Sequence, residues 1–284
     1  RPLQLEIINS IANGKDTLGL MPTGGGKSIT FQVYSLSKEG ICLVITPLIA
    51  LMKDQVENLR KRGIKALAIH SGMSAHEIKI SLDNATWGDY KFLYVSPERL
   101  ASERFRERLA HMNVNLATVD EAHCISQWGY DFRPSYLNIN ILREVLPNVK
   151  FLALTATATP TVADDIQEKL EFKEKNILKM SFQRENLSYL VRAVENKMSY
   201  MLKTLKKVSG SGIIYVRSRR GTREISDELV KNNISADFYH AGLNNHVRSA
   251  KQDNWLAGKT RVIVATNAFG MGIDKANVRF VIHI

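Results

Sequence analysis

The chain has 284 residues, of which 44% are hydrophobic and 24% charged, and its formal net charge is +11. This length and composition suit two α/β domains with separate cores and exclude a disordered or fibrous protein. The sequence contains no apolar stretch near the roughly 20 residues of a membrane span and no signal peptide, so we expect a soluble intracellular protein, cytoplasmic and nucleoid-associated, or nuclear in a eukaryote.

Short apolar strands alternate with helical segments along the chain, which predicts parallel sheets built from right-handed crossovers. The strands predicted in the first half are 17–21, 41–46, 66–70, 92–96, 116–120 and 151–155. The helices predicted there are 49–61, 75–84, 103–110 and 161–170. A second series follows residue 180, with strands 212–216, 236–240 and 261–265 and helices 221–232 and 245–257. The polar, mixed-charge stretch 171–186 is the predicted linker.

A glycine-rich sequence follows the first predicted strand and opens a predicted helix; it consists of Thr23, Gly24, Gly25, Gly26, Lys27 and Ser28. Glycines let the chain wrap around a polyphosphate so that backbone N–H groups converge on its oxygens. Lys27 would add a charge for the β/γ-phosphates and Ser28 a hydroxyl for Mg²⁺, at the positive end of the helix. Met21 stands where the common motif has its first glycine, and an ordinary flexible turn is the alternative. The position between strand and helix favours nucleotide binding.

An acidic pair, Asp120 and Glu121, follows the apolar run 116–119. Open α/β sheets place ligands at this carboxyl end of their strands. Asp120 can hold Mg²⁺, directly or through water, and Glu121 can orient or deprotonate the attacking water. An isolated acidic pair would be interpreted as a solvated turn, but a phosphate loop upstream favours catalysis. Lys27, Asp120 and Glu121 are therefore the predicted catalytic residues.

Aromatic and basic residues come directly after the acidic pair. Trp128, Tyr130 and Phe132 alternate with polar residues and are joined by Arg133. Aromatic side chains stack on unpaired bases at about 1–3 kcal/mol per base, and Arg adds a cation–π or phosphate contact. The alternative is a set of core aromatics in a long loop. The net positive charge is consistent with a polyanionic partner, because Lys and Arg release counterions from phosphates, but equally with a generally basic, solvated surface. The motifs decide between these two interpretations.

The chain has two cysteines, Cys42 and Cys124, and they lack the spacing of metal ligands. We therefore expect neither a disulfide framework nor a zinc site. Cys42 lies in an apolar, strand-like run and is expected to be a small core residue.

The order and content of the motifs resemble those of the RecQ family of superfamily 2 DNA helicases over essentially the whole chain. The motifs that carry the resemblance are RPLQ (1–4), MPTGGGKS (21–28), TPLIALMKDQ (46–55), SPERL (96–100), DEAH (120–123), CISQWGYDFRP (124–134), TATAT (155–159), IYVRSR (214–219), YHAGL (239–243) and ATNAFGMGID (265–274). The resemblance implies an α/β fold of two RecA-like P-loop lobes, residues 1–180 and 181–284, each a parallel sheet flanked by helices. ATP and Mg²⁺ would bind between the lobes, and single-stranded or partly duplex DNA would lie across both.

The resemblance also implies roles for individual residues. Gln4 would read the adenine edge, although a glutamine there could equally lie on a helix surface, and Gly272 and Asp274 would face the nucleotide from the second lobe. The residues expected to couple DNA binding to ATP hydrolysis are His123, Gln127, Thr155 and Thr157. The residues expected to contact nucleic acid are Thr46, Pro47, Ser96, Arg99, Trp128, Phe132, Arg133, Arg217, Ser218, His240 and Thr266. By residue type alone, the Thr and Ser positions would be helix caps, and a lone His would be structural.

The implied activity is that of an ATP-dependent 3′–5′ DNA helicase in DNA repair and recombination. One alternative is an RNA helicase or duplex translocase of the same superfamily, which the aromatic loop (residues 128–133) disfavours. The other alternative is a module that binds or anneals nucleic acid under ATP control. The family carries an arginine finger beyond the position where this chain stops, and such a finger is worth about 10³–10⁵ in rate. We therefore expect this chain to bind ATP–Mg²⁺ but to hydrolyse ATP poorly.

Overall fold

A computed structural model describes residues 2–129, 131–181, 186–270, 273 and 275–284. They form two compact units, Arg1–Glu185 and Asn186–Ile284, and each unit has its own sheet. No helix in the described residues is long and apolar enough to cross a membrane.

The first unit is a parallel sheet covered by helices. Its strands are β1 (Thr17–Leu20), β2 (Ile41–Ile45), β3 (Ala66–Ile69), β4 (Phe92–Val95), β5 (Val114–Val119), β6 (Phe151–Thr155) and β7 (Ile177–Lys179). Its helices are α1 (Pro2–Ala12), α2 (Lys27–Leu36), α3 (Ile49–Lys61), α4 (Ala75–Trp87), α5 (Glu103–Ala110), α6 (Leu142–Val145) and α7 (Pro160–Lys169). Within the described residues the strand order is β3-β4-β2-β5-β6-β1-β7.

Both faces of this sheet are buried. Leu43 and Ile45 belong to one apolar cluster, and Cys42 and Val44 belong to another. Successive side chains of a strand point to opposite faces, so the two clusters lie on the two sides of the sheet. The strands therefore read as continuous apolar runs, as expected of a parallel sheet with helices on both faces.

The second unit repeats this design on a smaller scale. Its strands are β8 (Ser211–Tyr215), β9 (Ala236–Tyr239), β10 (Val262–Ala265) and β11 (Val278–His283), and its helices are α8 (Lys197–Lys207), α9 (Arg219–Lys231) and α10 (Asn245–Leu256). The described strands are all parallel, in the order β11-β8-β10-β9. Trp255 and Phe269 pack edge to face at 5.3 Å on one side of the sheet.

The predicted alternation of strands and helices is confirmed, and helices 49–61 and 103–110 have the predicted bounds. The stretch 171–186 is not simply a linker, because it contains β7. Its polar sequence hid this strand: Ile177 pairs with Leu18 at the sheet edge, and the Asn176 side chain donates to the Asp16 carbonyl at 2.8 Å. Helices α1 and α8 were not predicted, although Leu3, Ile7 and Ile11 are buried at helical spacing.

Candidate nucleotide and nucleic-acid site

The phosphate loop lies between β1 and α2, as its sequence predicts. Gly24 and Gly26 have φ angles of 76° and 81°, in the left-handed region that favours glycine. A Cβ on Gly26 would lie 2.2 Å from the Gln4 amide nitrogen, and one on Gly25 would lie 2.9 Å from the Pro22 carbonyl oxygen. Glycine is therefore needed here for two reasons: the turn has left-handed backbone conformations, and the Gln4 amide and the Pro22 carbonyl approach too closely for a Cβ.

Gln4 lies on α1 and contacts this loop directly. Its Nε2 donates to the carbonyl oxygens of Gly25 at 3.2 Å and Gly26 at 3.1 Å. The amide therefore links α1 to the turn that precedes α2. Its reading of an adenine edge remains a prediction.

The phosphate loop meets the acidic pair at the carboxyl end of β5. The Lys27 ammonium lies 3.5 Å from Glu121 Oε1, and His123 Nδ1 lies 3.4 Å from Glu121 Oε2. Glu121 has φ = 48°, an uncommon conformation for a residue with a side chain. Strained backbone of this kind often occurs at functional sites. The tertiary structure thus brings together three of the residues singled out from the sequence.

Asp120 is buried beside Glu121. Burial, followed by the neighbouring Glu121 charge, raises the pKa of Asp120 to about 6, although Lys27 opposes the shift. A buried carboxylate with this shift suits a cation, and the half-buried Ser28 hydroxyl on α2 is an oxygen donor of the type that Mg²⁺ uses alongside phosphates. The described residues contain no group of three or more His, Cys, Asp or Glu that could hold a metal by itself.

Asp120→Asn is expected to stabilise the free protein at pH 7.5 by roughly 1–3 kcal/mol. The folded pKa of about 6 lies above the ordinary 3.8, so the stability associated with protonated Asp120 is lost as the pH rises through 6. An Asn oxygen can still accept the hydrogen bond from the Glu121 N–H, which is 3.0 Å long. Urea unfolding at pH 7.5 and pH 4 measures the effect. If Asp120→Asn raised the free energy of unfolding equally at pH 4, ionisation of the buried Asp120 carboxyl would not be the cause.

His123 connects the acidic pair to the end of β6. Its Nδ1 also lies 2.8 Å from Thr155 Oγ1, and this hydroxyl accepts from the Thr157 N–H at 3.1 Å. Burial lowers the pKa of His123 more than the Glu121 charge raises it, which favours the neutral ring. Gln127, the remaining residue with a predicted coupling role, is exposed.

The aromatic loop begins five residues after His123. The Trp128 side chain is 75% exposed, whereas Phe132 is half-buried. Arg133 donates to Asp131 Oδ2 at 2.9 Å and to the Pro47 carbonyl at 3.3 Å, so it joins this loop to the turn after β2. Tyr130 lies outside the described residues. Trp128 is thus exposed to solvent in the same loop as an arginine that is held by hydrogen bonds.

Polar residues follow neighbouring strands along the carboxyl edge of the first sheet. Thr46 follows β2 and Ser96 follows β4, and the last residues of these strands, Ile45 and Val95, are paired. Thr46 Oγ1 and Arg99 Nε are buried and have no hydrogen-bond partner among the residues that the structure describes. A buried polar atom without a partner costs stability, so a hydrogen bond to either atom would be favourable.

The predicted residues of the second unit lie at the corresponding edge of its sheet. Arg217 is exposed after β8, and the exposed Ser218 caps α9 by accepting from the Gly221 N–H at 3.0 Å. Thr266 and His240 follow the paired strands β10 and β9. Gly272 and Asp274, predicted to face the nucleotide, lie outside the described residues.

Sequence reasoning missed two supports of this site. The buried Tyr136 hydroxyl donates to the Asp120 carbonyl at 2.9 Å, and Asp131 holds Arg133. Asp131 is close to Arg133 in the sequence, two positions away, but nothing in the sequence connects Tyr136 to Asp120, 16 positions earlier.

Comparisons with known proteins agree with this geometry. Residues 1–166 match the DEAD/DEAH box helicase family, and residues 196–284 match the helicase conserved C-terminal domain. The ATP-dependent DNA helicase RecQ of Bacillus subtilis (strain 168) is 46% identical over 271 residues, which cover 95% of this chain and 46% of that protein. The ATP-dependent helicase SGS1 of Saccharomyces cerevisiae is 41% identical over 295 residues, covering 100% of this chain and 20% of that protein. The resemblance to RecQ helicases is confirmed.

Solved structures share the fold at low sequence identity. The Mycobacterium smegmatis helicase Lhr bound to ssDNA and AMP-PNP matches with a TM-score of 0.73 at 21% identity, over 99% of this chain and 41% of that chain. The helicase MrfA bound to DNA matches with a TM-score of 0.77 at 15% identity, over 99% of this chain and 42% of that chain. These matches confirm the predicted α/β fold of RecA-like lobes. The chain spans about half the length of the bacterial RecQ relatives.

Proposed function

Because the chain belongs to the DEAD/DEAH box helicase family, we propose that it is the ATP-driven motor of a RecQ-type DNA helicase. The observation that carries the proposal is the cluster of Lys27, Glu121 and His123, in which a phosphate-loop lysine meets a carboxylate at the end of a strand. Residues 1–180 and 181–284 would be the two lobes of the motor. ATP and Mg²⁺ are its proposed cofactors.

The contacts between Lys27, Glu121 and His123 support a separate role for each group of residues during ATP hydrolysis. The phosphates would lie in the turn 23–28, where backbone N–H groups and Lys27 bind them. A γ-phosphate would compete with Glu121 for the Lys27 ammonium, because it carries more charge than a carboxylate. Glu121 would then be available to accept a hydrogen bond from the attacking water. Ser28 and Asp120 would hold Mg²⁺, which neutralises phosphate charge when bound.

The path from Glu121 to Trp128 supports coupling between hydrolysis and DNA binding. His123 contacts both Glu121 and Thr155, and the short turn 124–127 connects it to Trp128. A base stacked on Trp128 would restrain this turn and, through it, the orientation of Glu121. Such a restraint is a physical route by which single-stranded DNA could accelerate hydrolysis.

Translocation in the 3′–5′ direction and a role in DNA repair and recombination complete the proposal, and both are supported by similarity to RecQ helicases. Under conditions in which ATP is turned over, this polarity predicts separation of a duplex with a 3′ single-stranded tail and not of one with a 5′ tail. Parallel measurements of ATPase stimulation by single-stranded DNA and by single-stranded RNA test which nucleic acid the protein acts on. Equal or greater stimulation by RNA would favour the RNA-helicase alternative.

Trp128→Ala is expected to weaken binding of a single-stranded oligonucleotide by about 5- to 150-fold, the equivalent of roughly 1–3 kcal/mol of lost stacking. Trp87→Ala provides the control, because the two tryptophans are 75% and 76% exposed. Fluorescence anisotropy with a labelled oligonucleotide measures both affinities. An equal loss in both variants would mean that the aromatic loop has no special part in binding.

A further inference from the structure

Most of the net positive charge of the chain lies in its second unit. Residues 186–284 contain 16 Lys and Arg against 7 Asp and Glu, which gives a net charge of +9, whereas the whole chain has +11. Self-repulsion of such a charge excess destabilises a compact domain. The places where the excess is concentrated are therefore candidates for contact with an anionic partner.

Basic residues are concentrated at the amino edge of the second sheet, where its parallel strands begin. The segments that lead into the four strands are 206–210, 231–235, 257–261 and 275–277. They contain no acidic residue, and their basic residues are Lys206, Lys207, Lys231, Lys259, Arg261 and Lys275. Arg279 follows at the second position of β11. Each described strand of this sheet therefore brings at least one basic side chain to the same edge.

Contacts between backbone and side chains hold these segments next to one another. The Gly212 N–H donates to the Arg261 carbonyl at 3.1 Å. The half-buried Arg261 guanidinium donates to the Leu205 carbonyl at 2.9 Å and to the Gly210 carbonyl at 3.0 Å, so it fixes the end of α8 against the start of β10. A Cβ on Gly210 would lie 2.6 Å from Arg279 Cγ, so the Arg279 side chain packs against the turn that follows α8.

Four of these basic side chains are exposed to a partner in solution. Lys206, Lys207, Lys259 and Arg279 are exposed and form no ion pair with any residue that the structure describes. We call these four residues the amino-edge surface. The dipole of α8 favours basic residues in its last turn, which accounts for the two lysines at 206 and 207. It does not account for Lys259 or Arg279, which lie outside every described helix.

The amino-edge surface is separate from the residues proposed to contact single-stranded DNA. Arg261 directly precedes β10 and Thr266 directly follows it. At about 3.3 Å per residue, the two edges of the sheet are about 17 Å apart. A strand bound along the carboxyl edge would therefore not neutralise the charges at the amino edge.

The chemistry of this surface suits the backbone of double-stranded DNA. Neighbouring strands are about 4.8 Å apart, so the surface spans about 10 Å from β11 to β10. Phosphates of one strand of a duplex are about 3.4 Å apart along the helix axis, so about three of them can face it. The segments 206–210, 257–261 and 275–279 contain no aromatic residue that could stack on unpaired bases. Lysines contact phosphates as flexible point charges and do not read the sequence.

We propose that the amino-edge surface binds the sugar-phosphate backbone of duplex DNA, as a second DNA-binding surface of this protein. The inference rests on the proposed function, because a motor that separates strands has duplex DNA beside the single strand on which it moves. Contact with the duplex would keep the protein at the junction while the contacts with the single strand are exchanged.

Replacement of the three lysines tests the surface. The variant Lys206→Gln/Lys207→Gln/Lys259→Gln is expected to weaken binding of a labelled blunt-ended duplex at least about 10-fold. It should also lower the slope of log affinity against log salt by about 3, one for each lost phosphate contact. The variant with arginine at the same three positions keeps the charge and should bind the duplex as the wild type does. Fluorescence anisotropy at several salt concentrations measures both quantities.

A matched control removes the same charge elsewhere. Lys61→Gln/Lys175→Gln/Lys231→Gln changes three exposed lysines, each of which pairs with an acidic residue. This control should lose less than about 2-fold in duplex affinity, because such pairs leave little net charge for a phosphate. Binding of oligothymidine should be the same in both triple variants and in the wild type.

The outcomes separate this inference from the proposed function. The inference is overturned if the two triple glutamine variants bind the duplex equally well. It is also overturned if a polyglutamate peptide binds the wild type more tightly than the duplex does, because an acidic protein would then be the better partner. Binding of oligothymidine without binding of the duplex would refute this inference alone. If the wild type binds neither DNA, the proposed function fails as well.

Discussion

Glu121→Gln is expected to reduce ATP hydrolysis by about 10²- to 10⁴-fold, the usual contribution of a general base, while ATP binding is retained. The amide keeps the size of the side chain but cannot accept the proton of the attacking water. It also releases Lys27, which lies 3.5 Å from Glu121, for the phosphates. Phosphate release in the presence of single-stranded DNA and the affinity for a fluorescent ATP analogue measure the two effects separately.

Two further variants identify the cause of that loss. Glu103→Gln removes a carboxylate from the exposed first turn of α5 and should leave both quantities unchanged. Lys27→Ala should weaken nucleotide binding, because it removes the phosphate-loop charge. Wild-type turnover in the Glu121→Gln variant would show that another group activates the water.

Asp16→Ala is expected to destabilise the first unit by about 3–5 kcal/mol, since it removes the buried carboxylate that pairs with the mostly buried Arg143 guanidinium. Asp16 Oδ2 lies 2.9 Å from the Arg143 guanidinium, and Oδ1 accepts from the Phe151 N–H at 2.8 Å. The Arg143 guanidinium also stacks over the Phe151 ring at 3.8 Å and donates to the Leu170 carbonyl at 2.8 Å. For a domain of this size the melting temperature should fall by about 6–20 °C.

A double-mutant cycle isolates the interaction of this pair. Arg143→Met keeps an apolar stem beside Phe151, and the double variant Asp16→Ala/Arg143→Met should be more stable than the sum of the single changes predicts. Glu57→Gln, at an exposed ion pair, should not change the urea midpoint measurably. Strict additivity of Asp16→Ala and Arg143→Met would mean that the two side chains contribute independently.

The local sequence was sufficient to predict the alternating strands and helices and the glycine-rich turn at residues 23–28. Apolar runs such as 41–45 form strands because their side chains are buried on both faces of a sheet, and this pattern requires no knowledge of neighbours. The glycine-rich sequence predicted a turn that can wrap around a polyphosphate, and the structure has positive φ angles at Gly24 and Gly26. The strand β7 escaped prediction because its hydrogen bonds with β1, rather than its own hydropathy, make it a strand.

The contacts within the candidate site depend on the order of the strands in the sheet, and this order could not be predicted from the sequence. Strand β6 lies between β5 and β1, so Thr155 comes within 2.8 Å of His123 although the two residues are 32 positions apart. Likewise, Gln4 reaches the phosphate loop because α1 packs against α2. Side-chain partners across such distances are set by packing, and many pairings are compatible with the same motifs.

The sequence by itself determined the alternating elements, the glycine turn, the acidic pair and the family resemblance, because each depends on residues close together in the chain or on their order. Only the tertiary structure decided which loops share a sheet edge, that Lys27 and His123 both contact Glu121, and that Asp16 pairs with Arg143.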